Sequence, residues 1–442
     1  MGLKFRLIET TIAGVKCIDK AITISFTKKG FDSSLFDESL IKSIYGPNGS
    51  GKTAVITAFD IYRTILTNDF PFKNGDYGKL LEKIVNKKTS KFSISIAFAI
   101  LKSSAIIRVK HDLVFSKDHA GEWCITHESL HQLNPRSKIS KTIFQIDDGV
   151  LVVNNVKEVL ESVDPMVSHN NSFVRLFANA AMSSDSACTA LGECVLLTFF
   201  FAKSLYIVYG DKQDAHLGHF MDWLLSVKED ASSRVLVDSY STSKVKEVFK
   251  NTPGIHCFDV VSPSTLHQYK KEIKKMFRFV KLLKQDLLDI EVIEKPFDQM
   301  LFIDLWFVYD GYKVDFEFES AGVKKLCLLF SAFLAARQGG IALIDEIDSN
   351  IHDTFLVKLF DYFSSYSDCQ IVCTTHNVEI MSVVSSKSKS IDFLSNDHGV
   401  IPWIKTGRLS PSVLYLKGRI EFIPFNLDSS EFAEVFTDEQ AG

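Results

Sequence analysis

Apolar and polar residues alternate over residues 4–8 and 21–26, the period of strands with one buried face, and a short apolar segment at 41–45 then runs into a glycine-rich turn. Three more alternating runs, FSISIAFAI, AIIRVKHDLVF and EWCITHESL, lie between residue 91 and about residue 155, separated by polar or glycine-bearing turns. They predict an antiparallel meander. From about 156 to 296 the spacing changes: Ile273, Met276, Phe277, Val280, Leu283 and Leu287 recur every three or four positions, which is helical. The most apolar stretch, CVLLTFFFAKSLYIV at 194–208, is broken by Lys203 and reads as a buried helix. It is too short to cross a hydrocarbon core of roughly 30 Å at about 1.5 Å per residue. Strand signals return at 301–309 and 314–318, followed by a helical segment, an apolar strand from Ile341, another helix and a strand at 370–374.

The turn after residue 45 reads Gly46-Pro47-Asn48-Gly49-Ser50-Gly51-Lys52-Thr53, a complete GxxxxGK[ST] set between an apolar strand and a helical segment at 54–66. The glycines let successive backbone N–H groups turn around phosphate oxygens, and the helix N-terminus adds positive potential. Lys52 brings a mobile charge and Thr53 a hydroxyl for Mg²⁺, so Gly46, Asn48, Gly49, Ser50, Gly51, Lys52 and Thr53 are the expected ATP contacts. A P-loop also needs acid on a neighbouring strand, and Ile341-Ala342-Leu343-Ile344-Asp345-Glu346 ends an apolar strand with two carboxylates. Asp345 is expected to support the metal together with Thr53. Because side chains alternate along a strand, Glu346 points elsewhere and is placed to take the proton of an attacking water.

Two more pieces narrow the class. Glu319-Ser320-Ala321-Gly322-Val323-Lys324-Lys325 opens a helix ahead of the acidic strand, and Thr374-Thr375-His376-Asn377 ends the strand after it. In this order the motifs resemble those of the soluble ATP-binding-cassette ATPases, the group holding the structural-maintenance-of-chromosomes, RecF-like and overcoming-lysogenization-defect proteins. The resemblance covers about residues 1–155 and 300–425. It implies an α/β fold: an ABC-type ATPase head with a mixed sheet and an antiparallel β-subdomain, made of an N-terminal lobe at 1–155 and a C-terminal lobe at 301–442, interrupted by a helical insertion at 156–300. It implies that Ser320 and Gly322 form the signature that touches the γ-phosphate held by the opposite subunit. It also implies that His376 is the switch histidine acting with Lys52 and Glu346 in catalysis, and that Asp348 lies in the D-loop crossing a homodimer. Glu319 and Ala321 depart from the Leu and Gly of transporters.

Leu414-Tyr415-Leu416-Lys417-Gly418-Arg419 followed by Ile423-Pro424 resembles the tail of single-chain ATPases of prokaryotic antiphage defence operons of the retron, Septu and PARIS types. This implies a cytoplasmic, homo-oligomeric ATPase that senses a phage protein or nucleic acid and controls a separate toxic effector. The alternative is a DNA-repair or recombination ATPase that clamps DNA directly.

Charge and cysteine usage adjust this picture. Lys plus Arg number 50 against 54 Asp plus Glu, a net charge of -4, so any nucleic-acid contact must come from a local patch. A stripe of Lys270, Lys274, Arg278 and Lys281 on a helix is the candidate. Eight cysteines without a CxxC pair suit a reducing cytosol, and Lys4, Arg6 and Glu9 sit where a secretion signal needs apolar residues. His127-Glu128-Ser129-Leu130-His131 satisfies HExxH, but the preceding residues read as a strand, and a zinc protease needs both imidazoles on one helix face. Metalloprotease chemistry is therefore not expected.

Overall fold

The computed structural model describes residues 3–27, 33–73, 75–134, 140–156, 169–182, 188–209, 258–297, 300–387, 389–395, 397, 399–404 and 409–420. Seven antiparallel strands form the first sheet: β1 (Lys4–Ala13), β2 (Ile22–Ser25), β4 (Lys91–Lys102), β5 (Ala105–Lys117), β6 (Trp123–Leu133), β7 (Ser140–Asp147) and β8 (Val150–Asn154), in the order β2-β1-β4-β5-β6-β7-β8. The expected meander is therefore present, with the two N-terminal strands added to its edge. Alternation drives it: in β4, Phe92, Ile94, Ile96 and Phe98 are buried while the intervening residues are more accessible.

The second sheet carries the P-loop. Its strands are β3 (Leu40–Tyr45), β9 (Leu205–Val208), β14 (Ile341–Ile344), β15 (Gln370–Thr374), β16 (Ile391–Leu394) and β17 (Val400–Pro402), in the order β17-β16-β3-β15-β14-β9. All neighbours are parallel except β17, which pairs antiparallel with β16. Every residue of β9, β14, β15 and β16 is buried, the composition of strands covered on both faces. A third, antiparallel sheet joins β10 (Asp259–Val261), β11 (Asp289–Phe297), β12 (Met300–Tyr309) and β13 (Tyr312–Asp315).

The helices are α1 (Lys52–Thr67), α2 (Gly75–Ile84), α3 (Phe173–Met182), α4 (Ala190–Lys203), α5 (Leu266–Lys281), α6 (Ala321–Arg337), α7 (Asp353–Tyr366), α8 (Ile380–Val384) and α9 (Pro411–Leu416). Phe201 of α4 stacks on Phe98 of β4 at 3.7 Å between ring centroids and meets Tyr62 of α1, so α4 and α1 share one core with the first sheet. Phe279 of α5 packs on Phe330 of α6 and Phe355 of α7.

The apolar stretch at 194–208 is not one helix. It breaks at Ser204, and residues 205–208 become β9, an edge strand of the core sheet paired with β14. Both parts are buried on all sides, so apolar periodicity cannot separate them, and only the change to Leu-Tyr-Ile-Val marks the strand. The stretch 156–300 likewise holds strands β9, β10 and β11 beside its helices, so it is not helical throughout, and β9 belongs to the head. Residues 210–257 and 421–442, which include Cys257, Ile423 and Pro424, lie outside the described residues.

Candidate nucleotide-binding site

The P-loop joins β3 to α1 at the carboxyl end of the parallel strands, where open α/β sheets leave their crevice. Its backbone takes a positive φ at three glycines, Gly46, Gly49 and Gly51, and at two of them neighbours also crowd the place of a side chain. Gly46 has φ 155°, and a Cβ there would stand 2.6 Å from the Leu394 carbonyl oxygen of β16. Gly51 has φ 105° and lies against Ile18 and Cys17 of the β1–β2 loop. Lys52 folds back over the loop, its Nζ donating to the carbonyls of Gly46 at 2.8 Å and Pro47 at 3.0 Å. Burial lowers its pKa, while the carboxylates of Asp345, Glu346 and Asp348 pull it back up. Ser50 is buried, Thr53 half-buried, and Asn48 and Gly49 face solvent.

The acidic strand delivers its two carboxylates through one hydroxyl. Thr374 Oγ1, at the end of β15, donates to Asp345 Oδ1 at 2.6 Å and accepts the Glu346 backbone N–H at 2.8 Å. Asp345 is 4% exposed, whereas Glu346 turns outward with φ 46°, a left-handed conformation that a non-glycine residue adopts at a cost of order 1–3 kcal/mol. The Glu346 carbonyl accepts Ser349 N at 3.0 Å, Ser349 Oγ at 2.9 Å and Lys325 Nζ at 2.9 Å.

His376 follows β15, exposed, with its backbone N–H on Asp348 Oδ2 at 3.0 Å. The other oxygen of Asp348 is buried without a hydrogen-bond partner among the described residues. Burial lowers the His376 pKa, the nearby Lys52 lowers it further, and the carboxylates of Asp348, Glu346 and Asp345 oppose both. Lys52, Asp345, Glu346, Asp348 and His376 thus lie in one electrostatic neighbourhood of a single chain. Tyr45 ties the P-loop strand to this turn by donating to the Asn377 carbonyl at 3.1 Å.

Ser320 and Gly322 belong to a separate helix. Ser320 is exposed and caps α6, its side chain accepting Val323 N at 3.3 Å. A Cβ on Gly322 would approach the Asn350 carbonyl to 3.1 Å, so the turn at 320–322 rests on the segment just after Asp348.

The donor set suits Mg²⁺. Among the described residues no three His, Cys, Asp or Glu side chains converge into a metal cage. What is present is hard oxygen, the Thr53 hydroxyl and the Asp345 carboxylate, and Mg²⁺ takes one or two carboxylates and completes its octahedron with phosphate and water.

The HExxH residues form a different arrangement on β6, not on a helix. Glu128 points into the core, fully buried, and accepts His111 Nε2 at 3.2 Å, Ser172 Oγ at 2.6 Å and the N–H groups of Phe173 at 2.7 Å and Val174 at 3.3 Å, the N-terminus of α3. His127 and His131 point to the other face, and both meet Ser129 Oγ through Nε2 at 3.1 Å. Their Nδ1 atoms pair with Asp147 at 2.5 Å and Thr142 at 3.1 Å. The basic stripe is also partly spent: Lys270 pairs with Glu294, while exposed Lys274, Arg278 and Lys281 have no acidic partner among the described residues.

Lys325 and Thr374 were the residues whose part in the site the sequence did not announce. Lys325, the second of two adjacent lysines, is 1% exposed.

A family model described as an AAA domain, putative AbiEii toxin, Type IV TA system, matches residues 214–382, a span that contains Ser320, Gly322, the acidic strand and His376 but not the P-loop. No curated protein matches the chain. Among solved structures, an Smc head domain from Pyrococcus furiosus bound to the C-terminal domain of ScpA is similar at 13% identity and TM-score 0.39, covering 90% of this chain and 96% of that one. The recombination mediator protein RecF-ATPrS of the RecFOR pathway is similar at 12% identity and TM-score 0.40, covering 91% and 99%. An Smc head domain from Pyrococcus yayanosii is similar at 13% identity and TM-score 0.41, covering 90% and 97%.

Proposed function

We propose that this chain is a Mg²⁺-dependent ATPase whose active sites are shared between two copies. The observation that carries the reading is the convergence of Lys52, Asp345, Glu346 and His376 at the carboxyl end of the parallel strands, with the capping hydroxyl of Ser320 left facing solvent on a separate helix. Backbone N–H groups of residues 46–53 and the Lys52 ammonium bind the phosphates. Thr53 and Asp345 hold the cation, which when bound neutralises phosphate charge. Glu346, turned outward, orients and deprotonates the attacking water, and His376 supports the γ-phosphate from the side. Ser320 and Gly322 of the second copy close the site, with Asp348 at the seam.

The biological reading is a cytoplasmic antiphage sensor that governs a separate effector protein through its ATP state. The AbiEii-type family model and the tail at 414–419 support it. Direct DNA clamping is the second reading, favoured by the exposed Lys274, Arg278 and Lys281. One experiment tests the core of the proposal: steady-state hydrolysis and particle mass for the wild type and Glu346→Gln. The variant should bind ATP, lose turnover and accumulate as a dimer; hydrolysis at the wild-type rate would remove Glu346 from the base role. Stimulation of the wild type by duplex DNA would move the reading toward the clamp, and co-purification with the product of a neighbouring gene toward defence.

A further inference from the structure

We infer that Lys325 is a positioning residue for Glu346, and so for the hydrolytic step and not for nucleotide binding. This rests on the reading of Glu346 as the water-activating base.

Lys325 lies in the first turns of α6, the helix whose N-terminus carries Ser320 and Gly322. An ammonium that is 1% exposed costs several kcal/mol of hydration unless it is met by oxygen, and this one reaches backbone oxygen at the end of the acidic strand: Glu346 O at 2.9 Å and Asp345 O at 3.4 Å. The place it reaches is tightly constrained. Glu346 has φ 46°, and its peptide groups are held on both sides, the N–H by Thr374 Oγ1 and the carbonyl by Ser349 and Lys325. The Glu346 side chain itself is exposed. Among the described residues no hydrogen bond or ion pair fixes that carboxylate directly, so its direction is set by the backbone beneath it. Lys325 is the only charged donor on that backbone among the described residues. A charged donor holds a carbonyl more strongly than a neutral one, by roughly a factor of two. Lys52, by contrast, donates to Gly46 and Pro47 and does not depend on Lys325 for its place. Removing Lys325 therefore frees the base while leaving the phosphate cradle intact.

The test is Lys325→Met, which keeps the stem and removes the charge, beside Lys325→Arg, Ser349→Ala and Glu346→Gln. ATP affinity, steady-state turnover and particle mass are read for each. Lys325→Met should bind ATP within about threefold of the wild type, lose tenfold or more in kcat, and accumulate as an ATP-bound dimer as Glu346→Gln does. Lys325→Arg should recover at least a third of the rate. A Lys325→Met protein that loses ATP affinity and dimer together, or that turns over at the wild-type rate, overturns the inference. If Lys325→Met does not fold, Ser349→Ala decides: it removes the other side-chain donor to the same carbonyl from an accessible position. A two- to fivefold fall in kcat at unchanged affinity supports the inference, and no change overturns it. Glu346→Gln separates the two claims, since full activity in that variant refutes the base assignment whatever Lys325 does.

Discussion

Two places in the molecule gather histidine, carboxylate and hydroxyl groups, one at the end of the parallel sheet around Asp345, Glu346 and His376, the other on β6 around His127, Glu128 and His131. On β6 each group is answered: Glu128 accepts four hydrogen bonds, and both nitrogens of His127 and His131 have a partner. Around the P-loop the groups are held but not satisfied. Lys52 rests on its own loop's carbonyls, one oxygen of Asp348 is buried without a hydrogen bond among the described residues, and Glu346 sits in a strained conformation with its carboxylate outward. The contrast teaches that chemistry is to be sought where polar groups are left under-used, because satisfaction stabilises a fold and unmet potential is what a ligand answers.

The sharpest way to break this contrast is Lys52→Ala. It should weaken ATP binding by two to three orders of magnitude, the scale of about 3–4 kcal/mol for losing a desolvated charge partner, with little change in thermal stability. Titration with a fluorescent ATP analogue measures it; near-normal affinity would mean that the loop does not bind phosphate. Glu128→Ala is the mirror experiment. It strands His111, Ser172 and the first N–H groups of α3, and should cost about 3–5 kcal/mol in chemical denaturation while ATP affinity stays normal once folded. An equally stable variant would show that Glu128 is not part of the scaffold.

The contrast sharpens further if the P-loop end is incomplete within one chain. Mixing Lys52→Ala with Ser320→Arg subunits should restore about a quarter of wild-type turnover, because half of randomly formed dimers are mixed and each then has one intact site of two. No recovery, with mixed dimers confirmed by mass, would argue that each site is complete in one chain. The smallest effect is on pH. Burial, as the first cause, lowers His131 below the ordinary 6.5, with Lys110, His111 and His127 adding to it and Asp112 opposing. The unfolded chain then binds the proton more readily, so this contribution to stability is complete above pH 6.5 and fades as the pH falls through the folded value. Denaturation midpoints taken from pH 8 to pH 5 should fall less in His131→Asn than in the wild type; parallel curves would dismiss the effect.

How much of this could be read from the chain depended on whether a constraint was local. The P-loop and the acidic strand were legible because eight and six consecutive residues carry them, the first between an apolar strand and a helix, the second an apolar strand ending in two carboxylates. The meander was legible because runs such as β4 alternate between buried and more accessible residues. β9 was not, since a strand and a helix buried all round give the same apolar run. Lys325 was hidden for a related reason: α6 is buried almost all round, so helix phase does not tell it from its neighbour Lys324. The basic stripe was legible as a helix face, but not the loss of Lys270 to Glu294 across to β11.

The order of strands in the parallel sheet has a consequence for how the protein is made. β3, which ends in the P-loop, has as its neighbours β15 and β16. Ser43 meets Cys373 across a sequence separation of 330 residues. The antiparallel sheet, by contrast, joins strands mostly adjacent in sequence and can close early on the ribosome, at synthesis rates of about 5–20 residues per second. For tens of seconds the nascent chain therefore carries its phosphate loop on a strand with neither neighbour in place. Nucleotide cannot be gripped until the carboxyl-terminal strands emerge, so a chain stopped before residue 370 has the motif without the site.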